Sequence, residues 1–218
     1  GDASRRAVCW RHQRKYLARD GFRVLLLEEH PDIGTPLHCS GLVTPRTLEE
    51  AAVGTDIVLH EITGARVFTP SGAELTLGDE KTRAVVIDRV GLDRALVHEA
   101  QHEGAQLELG ARVVGVERKR REMLVAVERN GSRSVVATRL LVGADGAHSR
   151  VARLVGLEGA GERVIGLGAE GTLPNIDEKH VKVFVGCSLA PGWFAWTIPL
   201  GEGRVRLGLG TSNHMKPV

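Results

Sequence analysis

The chain has 218 residues, a formal net charge of +2 and an apolar content of 42%. That length and composition suit one sizeable domain or two small ones and argue against a disordered chain. The near-balanced charge lacks the strongly basic face of phosphate-tracking proteins, so no nucleic-acid partner is expected.

Three cysteines, Cys9, Cys39 and Cys187, form no C-x-x-C pair. This odd, sparse set argues against a disulfide framework and a zinc site, and the metal expectation is none. It fits a reducing, cytoplasmic compartment. No apolar run reaches the roughly 20 residues of a membrane span, which leaves peripheral membrane contact open.

In chain order, the first fourteen residues are atypical. They carry several arginines and Trp10, and the transition near Lys15 is abrupt. We expect a misassigned segment joined there to downstream sequence, with the chain beginning inside a βαβ unit, after its first strand. Tyr16–Asp20 reads as the end of a helix capped by Gly21. Arg23–Glu28 contains four consecutive apolar residues, the pattern of a strand buried on both faces of a parallel sheet. Glu61–Leu77 holds two short stretches around Pro70-Ser71-Gly72, a hairpin signal.

Asp88 is placed to cap a helix from about Val90 to His102, with Leu92, Leu96 and Ala100 as its apolar stripe and Gly104 as its stop. Gln106–Leu109, Arg112–Glu117, Leu124–Glu128 and Val135–Thr138 read as successive strands. Asn130-Gly131 supplies the tight turn between the last two. The basic run Arg118–Arg121 is expected on an exposed hairpin end. Leu140–Val142 reads as another buried strand, with a helix starting near Ser149. From Glu162 the pattern is β only: Val164–Gly168, Val181–Val185, Trp193–Ile198 and Val205–Leu209.

Glu28 and Glu29 close the first strong strand. In a dinucleotide-binding unit, a carboxylate there accepts hydrogen bonds from the adenosine ribose and repels a 2′-phosphate, favouring FAD or NAD over NADP. Two solvated surface glutamates fit equally well. The matching glycine-rich turn some twenty residues upstream is missing. Asp145-Gly146 follows one strand and precedes a helix, a position where α/β ligands bind and where an aspartate can also cap. Phe194 and Trp196 alternate on a strand and share a face, with Trp193 expected to face the other way.

Taken together and in order, four segments resemble the geranylgeranyl reductase family, part of the flavoprotein group with the p-hydroxybenzoate hydroxylase fold. They are Val24–Glu28 with Gly34–Gly41, Asp88–Leu96, Gly143–Ser149 and Phe194–Pro199. The last is similar to Y-x-W-x-F-P, with Phe194 in place of Tyr and Ile198 in place of Phe. The resemblance implies an α/β fold, in which an incomplete doubly wound FAD-binding domain (15–58 and 82–157) is interrupted by an antiparallel β-rich substrate domain (59–81 and 158–218). It implies that the chain lacks both ends of the usual flavin site.

It also implies site roles. Cofactor contacts fall to Glu28, Glu29, Cys39, Ser40, Gly41, Arg89, Val114, Asp145 and Gly146. Arg89 would face the phosphate side, and Val114 would offer backbone groups to the adenine. Cys39 would lie near the reacting carbons, as the one catalytic candidate. His38, Phe194 and Trp196 would line the substrate.

The implied reaction reduces carbon–carbon double bonds of an isoprenoid chain by flavin hydride transfer. Its electron donor would be NAD(P)H or a ferredoxin, and its substrate a prenyl diphosphate, an archaeal-type glycerolipid or a chlorophyll precursor. The alternatives are a flavin monooxygenase or halogenase of the same fold, or a non-catalytic fragment that binds no cofactor.

Overall fold

The computed structural model describes residues 21–35, 39–159, 161 and 163–212, together with the backbone of 6–8. Strands β1 (Arg6–Val8), β2 (Arg23–Glu28) and β3 (Leu42–Val43) precede helix α1 (Pro45–Ala51). Four strands follow: β4 (Val58–Ile62), β5 (Gly64–Phe68), β6 (Glu74–Gly78) and β7 (Ala84–Ile87). Helix α2 (Arg89–His102) leads to β8 (Gln106–Leu109), β9 (Ala111–Arg118), β10 (Met123–Arg129), β11 (Ser132–Thr138) and β12 (Leu140–Leu141). After helix α3 (Arg150–Leu154) come β13 (Val164–Thr172), β14 (His180–Val185), β15 (Phe194–Gly201) and β16 (Arg204–Ser212).

The chain divides into two compact units, Gly1–Thr35 with Asp93–Ala160, and Pro36–Leu92 with Gly161–Val218. Residues 36–58 and 82–92, grouped with the cofactor segment on sequence, fall in the second unit. Strand pairing explains this, since β3 and β4 both pair with β7.

The first unit is built on a parallel sheet of order β12-β1-β2-β8. The apolar run of β2 is buried on both faces. Val24 and Leu26 pack with Ala100 and Ala105, while Leu27 packs with Ala111, Val125 and Val127. The last three belong to the antiparallel sheet of order β11-β10-β9. Its β10–β11 turn has Asn130 and Gly131 at φ 50° and 75°, the left-handed pair that a two-residue hairpin requires. The basic run forms the β9–β10 hairpin end, closed by Lys119 N–H donating to the Glu122 carbonyl at 2.8 Å.

Two expectations are corrected here. The chain does not begin after its first strand. The backbone of Arg6–Val8 is that strand, pairing in parallel with both β2 and β12. Only Ala7 and Val8 of its three residues are apolar, and the arginines just before them break the strand pattern, so sequence patterning passes over it. Leu140–Val142 is not a buried strand either. Leu140 is 48% exposed, because β12 stands at the edge of its sheet among the described residues and so has one neighbour. The helix expected at Tyr16–Asp20 lies outside the described residues, although Gly21 takes the left-handed φ of 81°.

The second unit stacks a six-stranded sheet, order β13-β16-β15-β14-β5-β6, on the three-stranded sheet β3-β7-β4. The β5–β6 hairpin joins this larger sheet through parallel pairing of β5 with β14. The core between the two sheets is Ile62, Val86, Val181, Ile198 and Leu200. Ile62, 2% exposed, comes from the smaller sheet and packs against strands of the larger one. Replacing Ile62 with alanine is expected to lower stability by about 2–5 kcal/mol. Urea unfolding of this variant checks the value, and a loss well under 1 kcal/mol would argue against this stacking.

Candidate functional site

In the first unit, β1 pairs in parallel on both sides: Ala7 is opposite Leu140 and Val24, and Val8 is opposite Leu141 and Leu25. Parallel strands exit at one edge of a sheet. The end of β2 at Glu28 and the turn after β12 holding Asp145-Gly146 therefore leave by the same carboxyl edge, flanking β1. Strands two apart in a sheet are separated by about 10 Å. Neighbours that diverge to either side of a central strand make a topological switch point, the place where α/β sheets take ligands.

Glu28 is partly buried, with 12% of its side chain exposed. Its Oε1 accepts the His30 backbone N–H at 3.0 Å and lies 2.7 Å from His30 Nδ1. These contacts fix the carboxylate at the strand tip. Glu29 is exposed beside it.

Val114 sits in a β-bulge. Val113 and Gly115 pair with the adjacent residues Val127 and Ala126 of β10, so Val114 has no partner there. A bulged residue is left out of the ladder on that side, which frees main-chain groups for another use.

Asp145 has a structural duty. Its Oδ1 accepts the Ser149 hydroxyl, and Oδ2 accepts the Arg150 and Val151 backbone N–H groups at 2.6 and 3.0 Å. Ser149 in turn caps α3 by accepting the Ala152 N–H at 2.9 Å. Burial alone would raise the Asp145 carboxyl, but the Ser149 hydroxyl and the Val151 and Arg150 N–H groups outweigh it, leaving its pKa below the ordinary value. Gly146, at φ 81°, has open space around it, so its backbone is approachable.

In the second unit, Cys39 is exposed, Ser40 half-buried and Gly41 buried. The Gly41 N–H donates to Cys39 Sγ at 3.5 Å, and the Gly41 carbonyl accepts the Ile87 N–H at 3.0 Å. Gly41 has φ 71°, and a Cβ there would lie 2.6 Å from the Ile87 carbonyl oxygen and 2.5 Å from Arg206 Nη1. Arg89 opens α2, and its Cγ would lie 3.6 Å from the same Cβ. Arg206 is a residue that sequence reasoning missed. Its only signal was a charge flanked by the apolar residues Val205 and Leu207. His38 lies outside the described residues.

Phe194 and Trp196 share a face of β15, with ring centroids 5.8 Å apart. Trp193 does not face the other way. It precedes the strand, and its ring stacks on Phe194 at 5.4 Å. Glycines make room for both indoles: a Cβ on Gly208 would come within 2.3 Å of Trp196, and one on Gly210 within 2.2 Å of Trp193. These two glycines pair with Gly168 and Gly166 of β13. The result is an aromatic wall beside a strip without side chains.

A cleft of about 690 Å³ in the first unit has a basic rim, Arg118 to Arg121 with Arg139, and includes Gly143 and Ser149. Among the described residues no group of three or more His, Cys, Asp or Glu is arranged to hold a metal ion, and no helix is long and apolar enough to cross a membrane.

Residues 15–196 match the FAD binding domain family. The chain is 29% identical over 205 residues to digeranylgeranylglycerophospholipid reductase of Methanocaldococcus jannaschii, covering 91% of this chain and 52% of that protein. It is 31% identical over 203 residues to digeranylgeranylglycerophospholipid reductase 2 of Methanothermobacter thermautotrophicus, covering 89% and 52%. Among solved structures, it is similar to a geranylgeranyl bacteriochlorophyll reductase-like protein from Thermoplasma acidophilum. There the TM-score is 0.84 at 25% identity, over 95% of this chain and 56% of that one. The chain thus spans about half the length of the curated relatives it matches.

The Asp145 network gives a test with a defined sign. A carboxyl whose pKa is lowered by folding contributes stability that is present above its unfolded value, about 4, and is lost as pH falls through the lowered folded value. Asp145→Ala is expected to destabilise the first unit by about 1 kcal/mol at neutral pH, in the range of a lost helix cap. The difference from wild type should shrink below about pH 4. Thermal unfolding of both proteins across pH measures this, and a difference that is constant down to acid pH would contradict it.

Proposed function

This chain belongs to the FAD binding domain family, in its geranylgeranyl reductase-like branch, and from that premise we propose that it binds FAD and forms part of an enzyme that reduces isoprenoid double bonds. The carrying observation is the parallel arrangement that brings Glu28 and the Asp145-Gly146 turn to one carboxyl edge on either side of β1. The residues present fit the adenosine half of the cofactor. Glu28, oriented by His30, accepts the ribose hydroxyls, with Glu29 beside it excluding a 2′-phosphate. The bulged backbone at Val114 meets the adenine edge.

Asp145 acts by holding its turn. Its carboxylate is committed to α3, so the contribution toward the pyrophosphate comes from the backbone around Gly146. The turn that would follow β1 falls at residues 9–14, outside the described residues. In the second unit, Cys39, Ser40 and Gly41 meet the flavin portion, and Arg89 supplies a cationic group on the phosphate side. Phe194 and Trp196, with Trp193 added, form the apolar wall that orients a prenyl chain and excludes water. Cys39, a free and exposed thiol, is assigned by the family resemblance to the neighbourhood of the reacting carbons, where it would tune the flavin or help deliver a proton.

FAD, when bound and reduced, supplies the hydride equivalent for saturating a carbon–carbon double bond. The names of the relatives support a prenyl group on a glycerophospholipid as the substrate. Such a substrate brings the protein to a membrane surface, and the donor is NAD(P)H or a ferredoxin.

Flavin fluorescence titration of the purified chain tests the reading. FAD is expected to bind, and Glu28→Ala to weaken it roughly tenfold, the loss of a charged hydrogen-bond acceptor. FMN, which has no adenosine, should bind wild type and variant equally. An absence of FAD binding, or equal loss of FMN and FAD affinity, would contradict the placement.

A further inference from the structure

Arg206 is buried, with 8% of its surface exposed, inside the second unit. A buried guanidinium is costly unless its charge and its N–H groups are matched. Here they are. Nε donates to Glu170 Oε1 at 2.7 Å, across the β13–β16 pair, and Nη1 donates to the carbonyls of Ser40 at 2.8 Å and Ile87 at 3.2 Å. One side chain therefore joins the larger sheet, the end of β7 and the Cys39–Gly41 loop.

The loop is closed from the other side as well. The Gly41 carbonyl accepts the Ile87 N–H, and the Gly41 N–H donates to Cys39 Sγ. Gly41 approaches Nη1 so closely that no Cβ fits between them. Arg206 also lies two residues from Gly208, on the same face of β16 and about 7 Å along the strand. Gly208 is the residue on which Trp196 rests.

We propose that Arg206 is a positioning residue that clamps the Cys39–Gly41 loop onto the aromatic face of the β15–β16 sheet and so fixes where the Cys39 thiol stands. Its link to chemistry rests on the flavin and prenyl reading given above. The clamp itself does not, because it is made of contacts within one unit. An arginine suits the place because its planar fork donates in several fixed directions at once, which a lysine ammonium on a flexible stem does not reproduce.

The test uses the full chain and site-resolved thiol alkylation by mass spectrometry, with Cys187, which is exposed like Cys39, as internal reference. Arg206→Met keeps the apolar stem and removes every donor. It is expected to change the Cys39 alkylation rate roughly tenfold, the scale of a lost charge-assisted hydrogen bond, with Cys187 unaltered. Amide hydrogen exchange at Gly41 and Ile87 should accelerate together, and Arg206→Lys should fall between methionine and wild type.

Should Arg206→Met fail to fold, Gly41→Ala reports the same contact from the loop side and is expected to give the same Cys39-specific change. Unaltered Cys39 reactivity and amide protection in the folded Met variant, or in Gly41→Ala in its place, would overturn the proposal. FAD titration of the same variants separates the two claims. A loosened loop in a chain that never binds FAD sinks the flavin reading and leaves the clamp standing. Bound FAD with an unmoved loop does the reverse.

Discussion

The feature on which the rest depends is the parallel pairing of three residues, Arg6–Val8, with β2 on one side and β12 on the other. Parallel pairing admits one outcome for the chain exits: both neighbours end at the same edge. Glu28 and the Asp145 turn are 117 positions apart in sequence, and no local force brings them to that edge. The backbone hydrogen bonds of β1 do so, helped by burial of Val24, Leu25 and Leu26 on both faces of β2. Once the edge exists, small features complete it. His30 fixes Glu28, the bulge releases Val114, and Asp145 ties down its own turn by capping α3.

The second unit combines a cluster of aromatic rings with a loop tied to Arg206. The bulky rings of Trp196 on β15 and of Trp193 just before it need space, and Gly208 and Gly210 on the neighbouring strand give it by carrying no side chain. Along the same face of β16 the sequence then changes to Arg206, whose charge is met by Glu170 and whose Nη1 reaches two main-chain carbonyls. Space-making and clamping are thus set by alternate residues of one strand. This is economical, since alternation along a strand puts positions 206, 208 and 210 on one face.

Much of this was legible in sequence wherever a local pattern carried it. The apolar run of β2, the Asn130-Gly131 turn, the helix ending near His102 and the β-only region after Glu162 were read from periodicity and turn chemistry. The order of four motifs pointed to the family, and the family model and relatives agree with it. What was missed has physical reasons. Strand β1 is three residues long and owes its existence to neighbours distant in sequence. Leu140 looks like core, but an edge strand exposes it. Trp193 was assigned a face by alternation although it precedes the strand that alternates. Helix α1 carried signals in Thr44 and Pro45, but its short buried stripe, Leu48 and Ala51, gave too little periodicity. The bulge at Val114 and the reach of Arg206 to Ser40, 166 positions away, depend on pairing and have no sequence signature.

The most direct measurement is an amide NMR map of the isotope-labelled chain during titration with FAD. The expected result is a set of perturbed amides at Glu28, Glu29, Val114 and Gly146, saturating together at one affinity, with the far ends of β10 and β11 near Asn130 unmoved. Perturbations that leave Glu28 and Gly146 untouched while others saturate would show that the dinucleotide does not use this edge.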